Sequence, residues 1–337
     1  LLGTYLLFLF SALLVVYTGT KLSKYGDIIA AGTSLGHSIV GGVLIAAATS
    51  LPEFVTSVSS ALIDAPDIAI GNVFGSNIFN LMILALVDVL HTQGRFLVHV
   101  KMNHMLAGMF GILLSALGAL GILVAQVSGL DIVFGWVSLT SILIFGTYAF
   151  ASILIIRYEN KVQALDEMDK TEEPEESVKP DGSLKKAIIG FSLSSAIIIW
   201  AGMNLTYSGE AIATHTGLGH TFVGTLLIAA TTSLPELVAS ITAIKIGAYD
   251  MAVGSVLGSN IFNMLIITAT DVFYYKGSIF SVIDISHGIT AMAGIILSSI
   301  AVIGLFYRSK RTIFTIGWDS VFILTFYLAT VYLIYIT

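Results

Sequence analysis

Cysteine is absent from the 337 residues, which excludes disulfide scaffolding, thiolate nucleophiles and soft-metal thiolate sites. Any metal met by this chain must be held by oxygen or imidazole. Charge is scarce as well: Asp, Glu, Lys and Arg make up 11% of the residues, against about 25% in an ordinary soluble domain. The 15 Lys and Arg residues form no basic patch interleaved with aromatics, so nucleic acid is not an expected partner. No HExxH segment and no P-loop occur, which leaves zinc-peptidase and ATP-driven readings without support. GTSLG at 32–36 fits the GxSxG pattern, but that elbow needs a strand-turn-helix setting with triad partners, and the match is read as chance. The chain is not expected to be an enzyme, and it calls for no cofactor.

What is abundant is hydrophobicity, at 56% of residues with a mean hydropathy of +0.94. Apolar runs long enough to cross about 30 Å of hydrocarbon recur along nearly the whole chain. Ten are expected, at 1–19, 36–62, 67–90, 104–126, 132–156, 186–204, 219–246, 249–275, 284–305 and 316–336. The fold class is therefore an all-α polytopic membrane protein in a lipid bilayer. The opening LLGTYLLFLF has neither Met nor a basic flank, so no cleavable signal is expected and the segment is read as structure. Of the 15 basic residues, 14 fall in loops after odd-numbered spans, and Lys276 is the exception. Basic residues favour the cytoplasmic side, so both termini are expected outside and the loop 157–185 in the cytoplasm of a cell (plasma or inner) membrane. That loop holds nine acids and two prolines and is read as a partly disordered linker.

TSLPE occurs at 49–53 and again at 232–236, an offset of 183 residues. The same offset aligns 36–88 with 219–271, identical at 29 of 53 positions without a gap. Two five-span units, 1–156 and 186–337, are thus expected. Because five is odd, the second enters the membrane from the opposite side, and a binding site is expected near the midplane where such inverted repeats meet. An intramembrane carboxylate costs several kcal/mol unless it is paired, hydrated or holds a cation. Glu53 and Glu236 together carry a charge that suits Ca2+ or several smaller cations, and hard cations take oxygen ligands. Thr49, Ser50, Ser76 and Asn80 in the first unit, with Thr232, Ser233, Ser259 and Asn263 in the second, supply hydroxyl and amide oxygens. On a helix, Thr49 and Glu53 share a face, as do Ser76 and Asn80. Pro52 and Pro235 should release backbone carbonyls near 46–49 and 229–232 from the helical ladder. Gly71, Gly75, Gly254 and Gly258 are spaced for close helix approach. Asp88 and Asp271, and His37 and His220, also repeat, but span-end or capping roles are expected for them rather than ion binding.

With both TSLPE and GSNxxN present twice at matched spacing, the sequence resembles the cation/calcium exchanger superfamily, and within it the sodium/calcium exchangers. The resemblance extends over all ten expected spans. It implies that the backbone oxygens of Ala46, Thr49, Ala229 and Thr232 complete the cation sites, and that the first and sixth spans slide against the rest. Relatives with Asp at the end of one GSNxxN motif are associated with potassium dependence; Asn80 and Asn263 stand here instead. The proton-coupled calcium exchangers resemble GNxxE in this region, and neither copy here carries that Glu. The expected function is a secondary antiporter exporting Ca2+ in exchange for Na+, with no partner beyond these ions and lipid; one chain suffices for the site, and the sequence does not set the oligomeric state. A Ca2+/H+ antiporter of the same fold is the alternative, and a cation channel or a membrane scaffold lies further off.

Overall fold

In the computed structural model, the described residues are 2–32, 49–91, 96–169, 183–308, 312–313 and 316–336. They form α1 (Leu2–Gly32), α2 (Leu51–Leu62), α3 (Pro66–Leu90), α4 (His104–Ser128), α5 (Leu139–Asp169) and α6 (Leu184–Thr216). There follow α7 (His220–Thr232), α8 (Leu234–Lys245), α9 (Tyr249–Phe273), the one-turn α10 (Ile279–Val282), α11 (His287–Tyr307) and α12 (Trp318–Ile336). Two tight antiparallel hairpins, β1 (Val133–Phe134) with β2 (Val137–Ser138) and β3 (Thr312–Ile313) with β4 (Ile316–Gly317), lead into α5 and α12.

Eight of these helices are long and apolar enough to cross a membrane, and α7 with α8, bent by 41°, makes a ninth. Of the second expected span only Thr49 onward is described, so Ala46, His37 and most of GTSLG lie outside the described residues. Several boundaries differ from expectation. α1 continues beyond residue 19 through Lys21 and Lys24, and α6 runs to Thr216 rather than 204. No proline interrupts either stretch, and α6 stops only at Gly217, whose φ of +71° is the left-handed cap that ends a helix. At about 1.5 Å per residue both helices exceed the thickness of the hydrocarbon layer. α5 begins at 139 rather than 132, because its entry is taken up by the hairpin, and it continues to Asp169. The first part of the expected linker, 157–169, is therefore helix.

α3 and α9 form the centre, each buried along most of its length. They pack on one another and are surrounded by α2, α4, α7, α8, α11 and α12, while α1 lies along α6 to one side. Membrane-facing side chains such as Leu9, Leu13, Leu193 and Phe145 remain exposed. This is what a helix bundle solvated by lipid leaves on its surface. Close approach explains Gly71 and Gly75: a Cβ on Gly75 would collide with the Thr225 carbonyl and the Ala229 side chain, and one on Gly71 would crowd the Thr225 amide.

Pairs of contacts recur between distant parts of the chain. Asp67, in the first turn of α3, accepts from the Asp284 amide at 2.6 Å and meets His287 Nε2 at 3.1 Å. Asp250, in the first turn of α9, accepts from the Lys101 amide at 2.7 Å and stands 3.2 Å from His104 Nε2. At the other ends of the same helices, Asp88 accepts from Ser320 Oγ at 2.7 Å and the Gly317 amide at 3.2 Å. Asp271 accepts from Ser141 Oγ at 2.7 Å and from the Ser138 and Ile279 amides at 2.8 Å each. Asp88 and Asp271 are buried, not solvated at an interface, and serve as acceptors for the amides and hydroxyls at the starts of α12 and α5.

Candidate cation site

The two proline-containing segments each place a carboxylate at the start of a half-helix. Ser50 precedes α2, Pro52 occupies its first turn, and Glu53 follows in that turn. Ser233 sits at the break between α7 and α8, and Glu236 lies in the first turn of α8. Helix starts carry unsatisfied amides and partial positive charge, so an acidic side chain is favoured there. Ser76 and Asn80 come from the middle of α3, and Ser259 and Asn263 from the middle of α9. Thr49, Ser50, Glu53, Ser76, Asn80, Thr232, Ser233, Glu236, Ser259 and Asn263 are all buried, none more than 3% exposed.

Contacts between the two halves bring these residues together. Ser233 Oγ donates to Glu53 Oε1 at 2.9 Å, and Thr49 Oγ1 lies 3.5 Å from Ser259 Oγ. Asn80 Nδ2 donates to Asn260 Oδ1 at 3.0 Å, and Asn263 Nδ2 donates to Asn77 Oδ1 at 3.1 Å. These two amide pairs are related by the same 183-residue offset as the motifs. Their effect is directional. Each pair uses the nitrogen of Asn80 or Asn263 and leaves its carbonyl oxygen without a protein partner.

Those oxygens have company. Among the described residues, the buried atoms without a hydrogen-bond partner include Ser50 Oγ, Glu53 Oε2, Ser76 Oγ, Asn80 Oδ1, both carboxylate oxygens of Glu236, and Asn263 Oδ1. Seven oxygens from six of the predicted site residues are thus buried and unpaired, and among the described residues no Lys or Arg pairs with either Glu. A buried polar atom left without a partner costs about 1–3 kcal/mol, and more when charged, so a cluster of this kind fits a hard cation that takes oxygen ligands.

One expected release from the helical ladder does not occur, although a carbonyl that accepts one hydrogen bond keeps a second lone pair. The carbonyl of Ala229 is not released by Pro235: it accepts from the Ser233 amide at 3.0 Å and is 3.2 Å from Thr232 Oγ1. The proline can break only the bond its own missing amide would make, which lies further along than residue 229. Besides the break at Ser233, this span is irregular upstream, where Val223–Ile228 is a π-helical stretch against α3, a form often found at functional sites.

Three asparagines were missing from the predicted set. Asn77 and Asn260 lie within the repeated GSNxxN motif, so their signal was present, but their task of orienting another amide is visible only in three dimensions. Asn72, on α3, has Ser255 as its counterpart and gave no repeat signal.

The family of sodium/calcium exchanger proteins matches residues 3–155 and 186–336. The chain belongs to that family. Among relatives, inner membrane protein YrbG of Escherichia coli (strain K12) is 28% identical to this exchanger-family chain, covering 79% of it and 78% of the relative. Sodium/calcium exchanger MaX1 of Methanosarcina acetivorans is 26% identical over 96% of each chain. Among the solved structures that share the fold are two exchangers. The H+/Ca2+ exchanger CAX has a TM-score of 0.72 at 15% identity, over 99% of this chain and 85% of that one. The sodium-calcium exchanger NCX_Mj has a TM-score of 0.61 at 21% identity, over 98% and 97%. As a member of this exchanger family the chain is a multi-pass membrane antiporter, and its function is read from transport rather than catalysis.

Proposed function

We propose that the chain exports Ca2+ across a cell membrane in exchange for Na+, by alternating access around the cluster of Glu53, Glu236 and their neighbouring oxygens. The observation that carries this reading is the seven unpaired buried oxygens gathered from four helices and the turns before them. Ca2+ takes about six to eight oxygens, with carboxylates supplying the charge. Ca2+ would sit between Glu53 and Glu236, and Na+ ions would distribute over the carboxylates, the Thr and Ser hydroxyls and the Asn80 and Asn263 carbonyls. The proton-coupled calcium exchangers resemble GNxxE in this region, and the absence of that Glu from both copies here favours Na+ as the driving ion. An empty pair of carboxylates resists burial, and a loaded pair is neutralised. The requirement for a bound cation during the conformational change makes the process an exchange and not a leak.

The units 1–156 and 186–337 are read as inverted repeats, with termini outside and the acidic linker cytoplasmic. The paired contacts Asp67–His287 and Asp250–His104, and Asn80–Asn260 and Asn263–Asn77, support this, since each recurs at the 183-residue offset with the halves exchanged. By the family resemblance, α1 and α6 would slide against the other helices, and both touch the segments that carry the carboxylates. A Cβ on Gly19 of α1 would collide with the Pro235 ring, and one on Gly202 of α6 would meet Val55 of α2. Sliding α1 and α6 therefore bears directly on the two segments that carry the carboxylates.

Uptake of radiolabelled Ca2+ into proteoliposomes under an outward Na+ gradient, and separately under a pH gradient, tests the reading. Uptake should follow Na+ and be abolished in Glu53→Gln and in Glu236→Gln. Uptake driven only by pH would replace Na+ with H+ in this scheme, and uptake indifferent to both gradients and both substitutions would sink it.

A further inference from the structure

The side chains expected to contact cations are the same in both halves: Thr49 and Thr232, Ser50 and Ser233, Glu53 and Glu236, Ser76 and Ser259, Asn80 and Asn263. The amides that orient them, Asn77 and Asn260, are repeated too. Among the described side chains that hydrogen-bond to this set, Asn72 breaks the pattern, replaced by Ser255 in the second half. Asn72 is fully buried and ties three segments together. Its Nδ2 donates to the Glu53 main-chain carbonyl at 3.2 Å and to Ser57 Oγ at 2.9 Å, while its Oδ1 accepts from Thr232 Oγ1 at 3.1 Å. Thr232 has one hydroxyl proton and two acceptors, Asn72 Oδ1 at 3.1 Å and the Ala229 carbonyl at 3.2 Å; donated to Asn72, it turns the lone pairs of that oxygen away from Asn72. A serine at 255 is too short to span the corresponding distances, and Ser240, the counterpart of Ser57, has no hydrogen-bond partner for its hydroxyl. The carboxylates follow the same division: Glu53 holds one hydrogen bond from Ser233, whereas both oxygens of Glu236 are unpaired.

We infer that Asn72 is a positioning residue that preorganises the Glu53–Thr232 half of the site and thereby gives the two membrane faces different apparent affinities for Ca2+. The physical argument is one of symmetry. In an exchanger built from inverted repeats, the conformations open to either face are related by exchanging the roles of the repeats. If the two repeats were identical throughout, the two faces would bind equally. A difference in affinity must then enter through residues that break the equivalence, and Asn72 does so in direct contact with the ligand set. The inference rests on the exchange function proposed above.

The test is Ca2+-dependent exchange in proteoliposomes of uniform orientation, with half-saturating Ca2+ measured separately from each face. In Asn72→Ser, the half-saturating concentration should rise about three- to tenfold from one face, the order expected for losing one or two hydrogen bonds that position ligands, with the maximal rate changed by less than about twofold. In Ser255→Asn, which leaves Asn72 in place, the weaker face should tighten and the difference between faces should shrink. The double variant Asn72→Ser/Ser255→Asn should reverse which face is tighter. Equal weakening from both faces in Asn72→Ser, or unchanged sidedness in both single variants, would overturn the inference while leaving exchange intact. Absence of Ca2+ exchange in the unaltered protein would instead overturn the functional reading and this inference with it.

Discussion

At the scale of residues, the two TSLPE segments read as candidate cation ligands because the chemistry they imply is costly anywhere else. A carboxylate beside a proline inside an apolar span needs a partner, and its recurrence at a fixed offset removes chance. The structure adds what the pattern could not hold, namely that each of the candidate ligand amides, Asn80 and Asn263, is held by a second amide. Asn260 keeps Asn80 from turning its nitrogen toward the site. Replacing it by alanine should let that amide rotate and should weaken Ca2+ binding by about tenfold, since partners that orient metal ligands contribute on that order. Isothermal titration of the purified protein in detergent reads this directly. Asn77→Ala should do the same to Asn263, whereas an effect limited to thermal stability would remove the orienting role from both. The Ala229 carbonyl shows the limit of reading from spacing: a proline identifies a broken ladder, but which oxygen is left bare depends on local turn geometry.

At the scale of elements, the spans were legible as apolar runs and their ends were not. Hydropathy falls where a chain leaves the hydrocarbon, while a helix stops only where backbone geometry stops it, so α1, α5 and α6 outrun their apolar stretches. The hairpins before α5 and α12 are too short to leave a period-two signal. The sequence reads Asp88 and Asp271 as span-end residues; apart from the Ile279 amide, which is close to Asp271 in sequence, their partners lie more than a hundred residues away and leave no local signal. Removing the Asp271 carboxylate would orphan the amides of Ser138 and Ile279 and the hydroxyl of Ser141. Asp271→Ala should destabilise the fold by about 2–5 kcal/mol, seen as a lowered unfolding temperature, while Ca2+ affinity of the protein that remains folded stays within about twofold of the original. A large loss of affinity at unchanged stability would make Asp271 a ligand instead of a clasp.

At the scale of the whole molecule, the repeat announced that two halves must meet but not how they lock. One lock lies outside the membrane-spanning segments. Asp64, in the turn between α2 and α3, has a φ of +66°, and its counterpart Gly247 between α8 and α9 has +76°. Glycine takes this left-handed conformation freely and aspartate tolerates it. The Asp64 carboxylate is held by Lys276 Nζ at 2.7 Å and Tyr274 Oη at 3.1 Å, both from the distant half. The hydrogen bond from Lys276 and then that from Tyr274 lower the pKa of Asp64 below the ordinary carboxylate value. A depressed carboxylate stabilises the folded state above its unfolded pKa, and that contribution fades as pH falls through the folded one. Unfolding midpoints of Lys276→Met and the unaltered protein should therefore differ slightly at neutral pH and converge in acid. The pair is exposed and screened, so the difference should also shrink in high salt.

The placement of Asp67, Asp88, Asp250 and Asp271 has a consequence for how the protein is made. Each acid of α3 finds its partner in the later part of the chain, and each acid of α9 finds amide or hydroxyl partners in the earlier part. When the ribosome has delivered only the first half, Asp67 and Asp88 already belong to an inserted helix, yet their partners have not been synthesised. The first half must wait in the membrane with its central helix incomplete, and the second half completes it on arrival.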